Sequence, residues 1–260
     1  MASLPPSLRD TLAYFAKYNY PLTAEELWFW QHGTNYSKKF IERCALSTAG
    51  WQLRRQREQF SKKKWLIARQ VGESLKRFPS IAAVYITGAL AMNNCPADDD
   101  IDIMIITSPN ALWVTRFFVV LYLKLLGIRR HPVSAFRQPI TENRTCDNLW
   151  LDTSHLTIQP SSHNALYLAH EILQAKVLWD RASIHQQFLH SNSWVKNFLP
   201  VAYSQSLGQL EIRSIRSINP IFYVLNIIFF IPQYLYMLPK MSSEKVGLGF
   251  AFFHPTKPST

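Results

Sequence analysis

The stretch that decides the fold is residues 85–94 (YITGALAMNN), followed closely by residues 98–107 (DDDIDIMIIT). An apolar strand is predicted over residues 81–86, a turn of small residues follows it, and a second apolar strand is predicted over residues 101–107. Side chains two positions apart in a strand point to the same face. We therefore expect Asp100 and Asp102 to project side by side.

The paired carboxylates predict a metal site. Two adjacent carboxylates repel each other unless a cation lies between them. Proteins hold Mg²⁺ with one or two carboxylates together with substrate phosphates. The turn at Gly88 would let backbone N–H groups approach a phosphate closely. Together these features indicate metal-dependent phosphoryl or nucleotidyl transfer.

This arrangement resembles the signature of the DNA polymerase beta-type nucleotidyltransferase superfamily. That signature is an apolar residue, Gly, then Gly or Ser, a spacer, and Asp-apolar-Asp/Glu-apolar. Residues 87–89 fill the turn, residues 90–99 the spacer, and residues 100–103 the strand. Ala89 departs from the pattern, because the family usually has Ser or Gly there. The wider chain resembles a little-characterised bacterial and archaeal group of such proteins.

The resemblance implies a fold, a substrate and a set of ligands. The fold would be α/β (α+β), a small mixed-sheet nucleotidyltransferase core with helical flanks. Asp100 and Asp102 would be catalytic and would hold Mg²⁺ or Mn²⁺, with a nucleoside triphosphate as substrate. The residues on the phosphate side would be Thr87, Gly88, Ala89, Asn93 and Arg116. Arg116 has an equal alternative, which is pairing with a carboxylate in the core.

Catalytic members of the superfamily take a third carboxylate from a later strand, here predicted over residues 148–151. The candidates are Asp147 and Asp152. Their positions have opposite parity, so at most one of them can join the pair. Asp152 is the metal ligand predicted here. The motif also puts Asn148 near this place, and an amide is a weaker ligand for Mg²⁺.

Composition bounds the size of the protein and its partners. A chain of 260 residues with 48% apolar content can form one sizeable core and a smaller module. The formal net charge of +11 favours a polyanionic partner such as nucleic acid, nucleotide or an anionic membrane surface, with plain solubility as the alternative. Three widely spaced cysteines are typical of a reducing cytosol. The sequence opens without a signal-peptide pattern, so we expect a cytoplasmic protein.

Residues 1–62 predict a helical, winged-helix-like module. Helices are expected over residues 7–18, 24–31 and 36–47. Thr23 and Glu26 form a capping box at the start of the second helix. In a winged-helix module the third helix would direct Lys38, Lys39 and Arg43 toward nucleic acid. The alternative is a helical cap packed on the core.

A run of basic residues follows this module. Its members are Arg54, Arg55, Arg57, Lys62, Lys63 and Lys64. The run predicts either a solvated helix face or an electrostatic guide for a polyanion such as nucleic acid.

Residues 63–160 are the predicted nucleotidyltransferase core, and residues 161–260 a helical C-terminal region. Within that region, residues 218–239 are strongly apolar. A spanning helix needs about 20 consecutive apolar residues. Prolines and amides interrupt this stretch, so we expect a buried core helix or an interface helix, with membrane association as the alternative.

The function predicted from the sequence is Mg²⁺-dependent transfer of a nucleoside monophosphate to an acceptor hydroxyl. The alternative is a catalytically degenerate protein that binds nucleotide or nucleic acid.

Overall fold

The computed structural model describes residues 4–253 except 45, 47–48, 131–142, 182, 209–220 and 242–243. Within these residues the chain forms a six-stranded mixed sheet with helices on both faces. The mixed α/β class predicted from the sequence is confirmed at this level.

The sheet grows outward from the strand–turn–strand unit. Strand β1 (Ile81–Ile86) pairs antiparallel with β2 (Ile101–Thr107), and β3 (Thr145–Asp152) runs parallel to β2. Three further strands complete it: β4 (Lys176–Asp180), β5 (Lys245–Gly247) and β6 (Phe250–Phe252). The strand order is β4-β1-β2-β3-β6-β5.

Ten α-helices lie in the described residues: α1 (Pro6–Ala16), α2 (Ala24–Trp30), α3 (Lys38–Ile41), α4 (Trp51–Leu75), α5 (Gly88–Ala91), α6 (Leu112–Leu125), α7 (Ala165–Gln174), α8 (Ile184–Ser191), α9 (Pro200–Ser206) and α10 (Ile221–Met237). The predicted capping box of Thr23 and Glu26 begins α2. Gly127 follows α6 with a φ of +66°, a conformation that favours glycine after a helix.

The central strands are apolar on both sides because helices cover both faces of the sheet. Ile101, Ile103 and Ile105 are fully buried and point to what we call the isoleucine face, which is covered by α4, α6 and α10. Burying one isoleucine stabilises the fold by roughly 1.5–3 kcal/mol. Asp102 and Met104 point to the opposite side, which we call the carboxylate face.

The N-terminal helices belong to the core of the carboxylate face. Leu8, Phe15 and Leu27 form one buried cluster with Met104 of β2 and with residues of α7, α8 and α9. The boundary predicted between residues 62 and 63 lies within the single helix α4. The packing corresponds to a helical cap on the core.

The third helix is shorter than predicted, because residues 42–44 form a turn after Ile41. The Lys38 ammonium, predicted to face nucleic acid, lies 2.7 Å from the Glu25 carboxylate of α2. The described residues therefore do not form the long third helix that a winged-helix module needs.

The C-terminal region departs from the helical prediction in two ways. It supplies the strands β4, β5 and β6, which are short and pair with distant segments, so that local periodicity gave no signal for them. Helix α10 is not a buried core helix, since Asn226 is its one fully buried residue. No helix among the described residues is both long enough and apolar enough to cross a bilayer.

Candidate metal and nucleotide site

The two predicted carboxylates meet at the start of β2. Asp100, Asp102 and Cys146 each place one ligand atom within 4.8 Å of the others. Asp100 is buried and Asp102 is half-buried. The structure thus brings together the pair that strand alternation predicted.

The pKa of the neighbouring Asp99 reflects how close these carboxylates are to one another. Its own burial, and then the charges of Asp100 and Asp102, raise the pKa of Asp99 to about 6. A cluster of this kind is stabilised by a cation.

The glycine turn lies in close contact with Asp102. Thr87 ends β1 and its backbone N–H donates to the Asp102 carbonyl oxygen over 3.1 Å. Gly88 has a φ of +61°, and a Cβ built on it would lie 2.6 Å from Asp102 Oδ2. Only glycine fits both the backbone conformation and the space. Ala89 follows in α5 and packs against the core of the isoleucine face.

Asp100 has a cationic partner that the sequence analysis did not assign. Arg130 Nη1 donates to Asp100 Oδ2 over 2.6 Å and lies 3.9 Å from the Cys146 sulfur. Burial alone would lower the pKa of Arg130, but Asp100 and Cys146 raise it above its usual value. Arg130 therefore neutralises one of the two carboxylates.

Strand β3 supplies the remaining neighbours of Asp102. Cys146 is its partner in the parallel register, and a bulge follows before Met104 pairs with Leu149. Asn148 Nδ2 donates to Asp102 Oδ1 over 2.6 Å. Burial and then Asp102 and Asp100 raise the pKa of the Cys146 thiol, so the sulfur stays protonated and is a poor ligand for a hard cation.

The predicted third carboxylate, Asp152, does not join this group. It pairs in register with Thr107, five residues along β2 from Asp102, which is roughly 16 Å in a strand. Its Oδ1 accepts from the Ser154 N–H over 2.9 Å and lies 2.8 Å from His155 Nδ1. The spacing rule allowed one of Asp147 and Asp152 to join, and neither does.

Asp147 points toward the isoleucine face instead. Arg129 Nε lies 2.6 Å from Asp147 Oδ1, and the carboxylate is almost fully buried. It is therefore a core ion pair, separated by the sheet from Asp102.

Arg116 also lies on the isoleucine face. Its Nη1 donates to Gln233 Oε1 of α10 over 2.7 Å, and its guanidinium lies over the rings of Trp113 and Phe253. Burial lowers the pKa of Arg116 to about 10, partly offset by Asp147. The predicted role toward phosphate is thus not supported, because α6 packs on the other side of the sheet.

Asn93 serves the turn after α5. It has a φ of +56°, which Asn tolerates better than most residues, and its Oδ1 accepts from Trp65 Nε1 over 2.7 Å. Asn93 is close in sequence to the glycine turn, but its side chain is hydrogen-bonded to Trp65 of α4.

Three members of the basic run, Arg54, Arg57 and Lys64, have structural roles. Arg57 Nη1 donates to the Tyr18 carbonyl over 2.9 Å. Arg54 pairs with Glu26 and Glu58, whereas Lys64 is buried and donates to the Asp99 carbonyl over 2.6 Å and to the Ala97 carbonyl over 3.1 Å. Lys64 therefore fixes the loop that leads into Asp100. Arg55, Lys62 and Lys63 remain exposed.

A cavity of about 310 Å³ opens beside Asp102 on the carboxylate face. Thr87, Gly88, Asp102 and Asn148 line its polar end. Its other walls are mostly apolar, with Tyr167 and Glu171 of α7 as further polar groups; burial and then Glu171 raise the pKa of Tyr167. The mostly apolar walls fit a planar or apolar group.

His170 has no place in this cavity. Its Nε2 lies 3.0 Å from His32 Nε2, and its ring stacks on Tyr14 at 4.1 Å. Burial lowers the pKa of His32 to about 4 and that of His170 well below its usual value. The pair is neutral and joins α7 to the N-terminal helices.

Comparison of the chain with protein-family models, with curated proteins and with solved structures finds no match. The argument for a function therefore depends on the geometry of these residues.

Proposed function

We propose that the protein is a Mg²⁺-dependent nucleotidyltransferase that moves a nucleoside monophosphate from a nucleoside triphosphate to an acceptor hydroxyl. The observation that carries the proposal is the contact between a glycine turn and a carboxylate pair, in which Gly88 leaves no room for a side chain beside Asp102. A turn of this kind lets phosphates approach the backbone next to the metal ligands.

The donor set fits a hard divalent cation in part. Asp100 and Asp102 supply carboxylate oxygens, which Mg²⁺ and Mn²⁺ prefer. The side-chain carbonyl oxygen of Asn148 would become a metal ligand when the amide group flips. The protonated Cys146 thiol does not fit as a ligand for this cation. When bound, the metal would neutralise charge on the triphosphate and lower the pKa of the attacking hydroxyl.

The other residues have roles of their own. Arg130 holds Asp100 in place, and its guanidinium is also able to bind a phosphate. It takes the part that the sequence analysis gave to Arg116. Thr87 and the apolar walls of the cavity would hold the nucleoside or the acceptor and exclude water.

The proposal is tested by calorimetry with each nucleoside triphosphate, with and without MgCl₂. The proteins are the wild type, the Asp100→Ala/Asp102→Ala double variant and the matched control Asp98→Ala, which removes an exposed carboxylate of the same run. We expect Mg²⁺-dependent binding in the wild type and the control and none in the double variant. A folded wild type that binds no nucleoside triphosphate contradicts the proposal.

A second candidate is a degenerate nucleotide-binding protein. It is favoured by the position of Cys146, which lies beside the pair where a third ligand would lie, and by the ion pair of Arg130 with Asp100. Pyrophosphate release from the bound nucleotide separates the two candidates. Binding without release, over a panel of sugar, RNA and protein hydroxyls, favours the degenerate form.

A further inference from the structure

Helix α10 has its polar residues inside and its apolar residues outside. Asn226 is buried; its Oδ1 accepts from the Trp113 N–H over 2.7 Å and its Nδ2 donates to the Leu248 carbonyl. Gln233 Nε2 donates to the Trp113 carbonyl over 2.9 Å, and Gln233 Oε1 accepts from Arg116. These bonds fix which side of α10 faces the protein, because the first-turn N–H of Trp113 needs an acceptor.

The outer side of α10 is apolar along its whole length. Six exposed side chains follow a spacing of three and four residues: Ile221, Val224, Ile228, Ile231 and Leu235 of α10, and Leu238 directly after it. Each is 50–60% exposed, whereas apolar residues on an ordinary surface helix point into the core. Tyr223 and Tyr236 are exposed near the two ends of the helix.

Helix α6 continues this surface. Phe117 and Phe118 pack against Phe229 of α10, with ring centroids 5.0 and 5.8 Å apart. Phe118, Leu121 and Leu125 are exposed beside α10. We call the combined outer side of the two helices the α6–α10 surface. A contiguous apolar surface of this kind marks a contact with a membrane or another protein.

Charge decides between these two occupants. The sequences of α6 and α10 contain two charged residues, both cationic: Arg116, which is held inside by Gln233, and Lys124, which is exposed. A protein interface normally has a polar rim around its apolar centre. The chain carries a formal net charge of +11, so a second copy is repelled and an anionic lipid surface attracts it.

We propose that the α6–α10 surface lies on a lipid bilayer that contains anionic lipids, with α10 parallel to the membrane plane. Ile228 and its neighbours enter the boundary between headgroups and acyl chains, as in interfacial helices. Tyr223 and Tyr236 lie at headgroup level, where tyrosine is enriched. The surface is on the isoleucine side of the sheet, so this inference is independent of the site beside Asp102.

The test is co-sedimentation with vesicles of phosphatidylcholine alone or with phosphatidylglycerol added. The variants are Ile228→Glu and Leu235→Glu on the α6–α10 surface. The matched control is Leu66→Glu, since Leu66 on α4 is 61% exposed and lies outside the α6–α10 surface. Thermal unfolding of each variant verifies that it folds.

We expect the wild type and Leu66→Glu to bind the anionic vesicles, and each surface variant to bind about tenfold or more weakly, since an apolar anchor is replaced by a charge. Binding should fall when the anionic lipid is omitted. Equal binding of all variants, or no binding of the wild type, overturns the proposal. A dimer that Ile228→Glu dissociates, without vesicle binding, assigns the surface to a second copy instead.

Discussion

Asp152 and the Asp100–Asp102 pair lie at opposite ends of the paired strands β2 and β3, and the surroundings of the two carboxylate sites differ. At one end Asp152 is almost fully buried and accepts from the backbone N–H groups of Ser154 and Asn110, with His155 beside it. At the other end Asp100 and Asp102 crowd each other, and they contact the side chains of Arg130 and Asn148.

The difference separates a structural carboxylate from a candidate functional pair. Backbone N–H groups hold Asp152 in a fixed position, because they cannot rotate independently of the main chain. Side chains such as Arg130 and Asn148 can rotate away, which leaves carboxylate oxygens available to a cation. We therefore assign ligand chemistry to the pair and folding stability to Asp152.

The largest effect is expected for Asp102→Asn. This change removes one charged metal ligand and keeps the volume, so Mg²⁺-dependent nucleotide affinity should fall by about 100-fold or more. The free energy of unfolding should stay the same or rise, since repulsion between the two carboxylates is relieved. Calorimetry and thermal unfolding of the same preparation check both. An unchanged nucleotide affinity would contradict the assignment of ligand chemistry to the Asp100–Asp102 pair and of stability to Asp152.

The opposite outcome is expected for Asp152→Ala. The Ser154 N–H loses its acceptor, so we expect the free energy of unfolding to fall by about 2 kcal/mol. Nucleotide affinity should remain at the wild-type value. Denaturant unfolding measures the first effect, and a loss of nucleotide binding in the folded variant would show that the two ends are coupled.

His32 also contributes to acid unfolding, which affects any comparison of Asp152 with the Asp100–Asp102 pair at low pH. His32 has a pKa of about 4 in the folded protein, below its usual value in an unfolded chain. The unfolded chain binds more protons between these values, so stability is complete above about pH 6.5 and is lost as the pH falls toward 4, by about 2 kcal/mol after allowance for partial exposure.

His32→Gln should flatten this part of the stability curve, measured by urea unfolding at several pH values. Asp152→Ala should leave its slope unchanged. A curve that keeps the wild-type slope in His32→Gln would assign the acid sensitivity to other groups, such as His170, whose pKa is also lowered by burial.

The smallest effect is expected for Gly88→Ala compared with Gly33→Ala. Both glycines have φ near +60°, so both variants lose about 1 kcal/mol from backbone strain. A Cβ at residue 33 meets nothing within 4 Å, whereas at residue 88 it meets Asp102. Nucleotide affinity should therefore fall in Gly88→Ala alone. Equal affinities for the two variants would mean that the glycine turn does not position Asp102.

Strands β1 and β2 and the carboxylate pair were predictable because their signals are local. Alternation in residues 101–107 fixed which side chains share a face, and Gly88 marked the turn. Thr23 and Glu26 likewise fixed the start of α2. Each of these features is determined by residues within a few positions of one another.

Partners from distant segments were not predictable. Arg130 reaches Asp100 because residue 130 bonds to β3 beside β2, and Lys64 reaches the Asp99 loop from α4. Of the two alternatives predicted for Arg116, contact with phosphate is not supported, because helix periodicity does not tell which face of the sheet a helix covers. Asp152 failed because the parallel register of β3 places it at the wrong end of β2.

The most direct test is a titration of Mn²⁺ followed by electron paramagnetic resonance, with wild type, Asp102→Asn and Asp152→Asn. Mn²⁺ takes the same oxygen ligands as Mg²⁺ and its free signal decreases on binding. We predict equal binding by the wild type and Asp152→Asn, and a loss of binding in Asp102→Asn. Binding that survives in Asp102→Asn and is lost in Asp152→Asn would contradict the assignment of ligand chemistry to the Asp100–Asp102 pair.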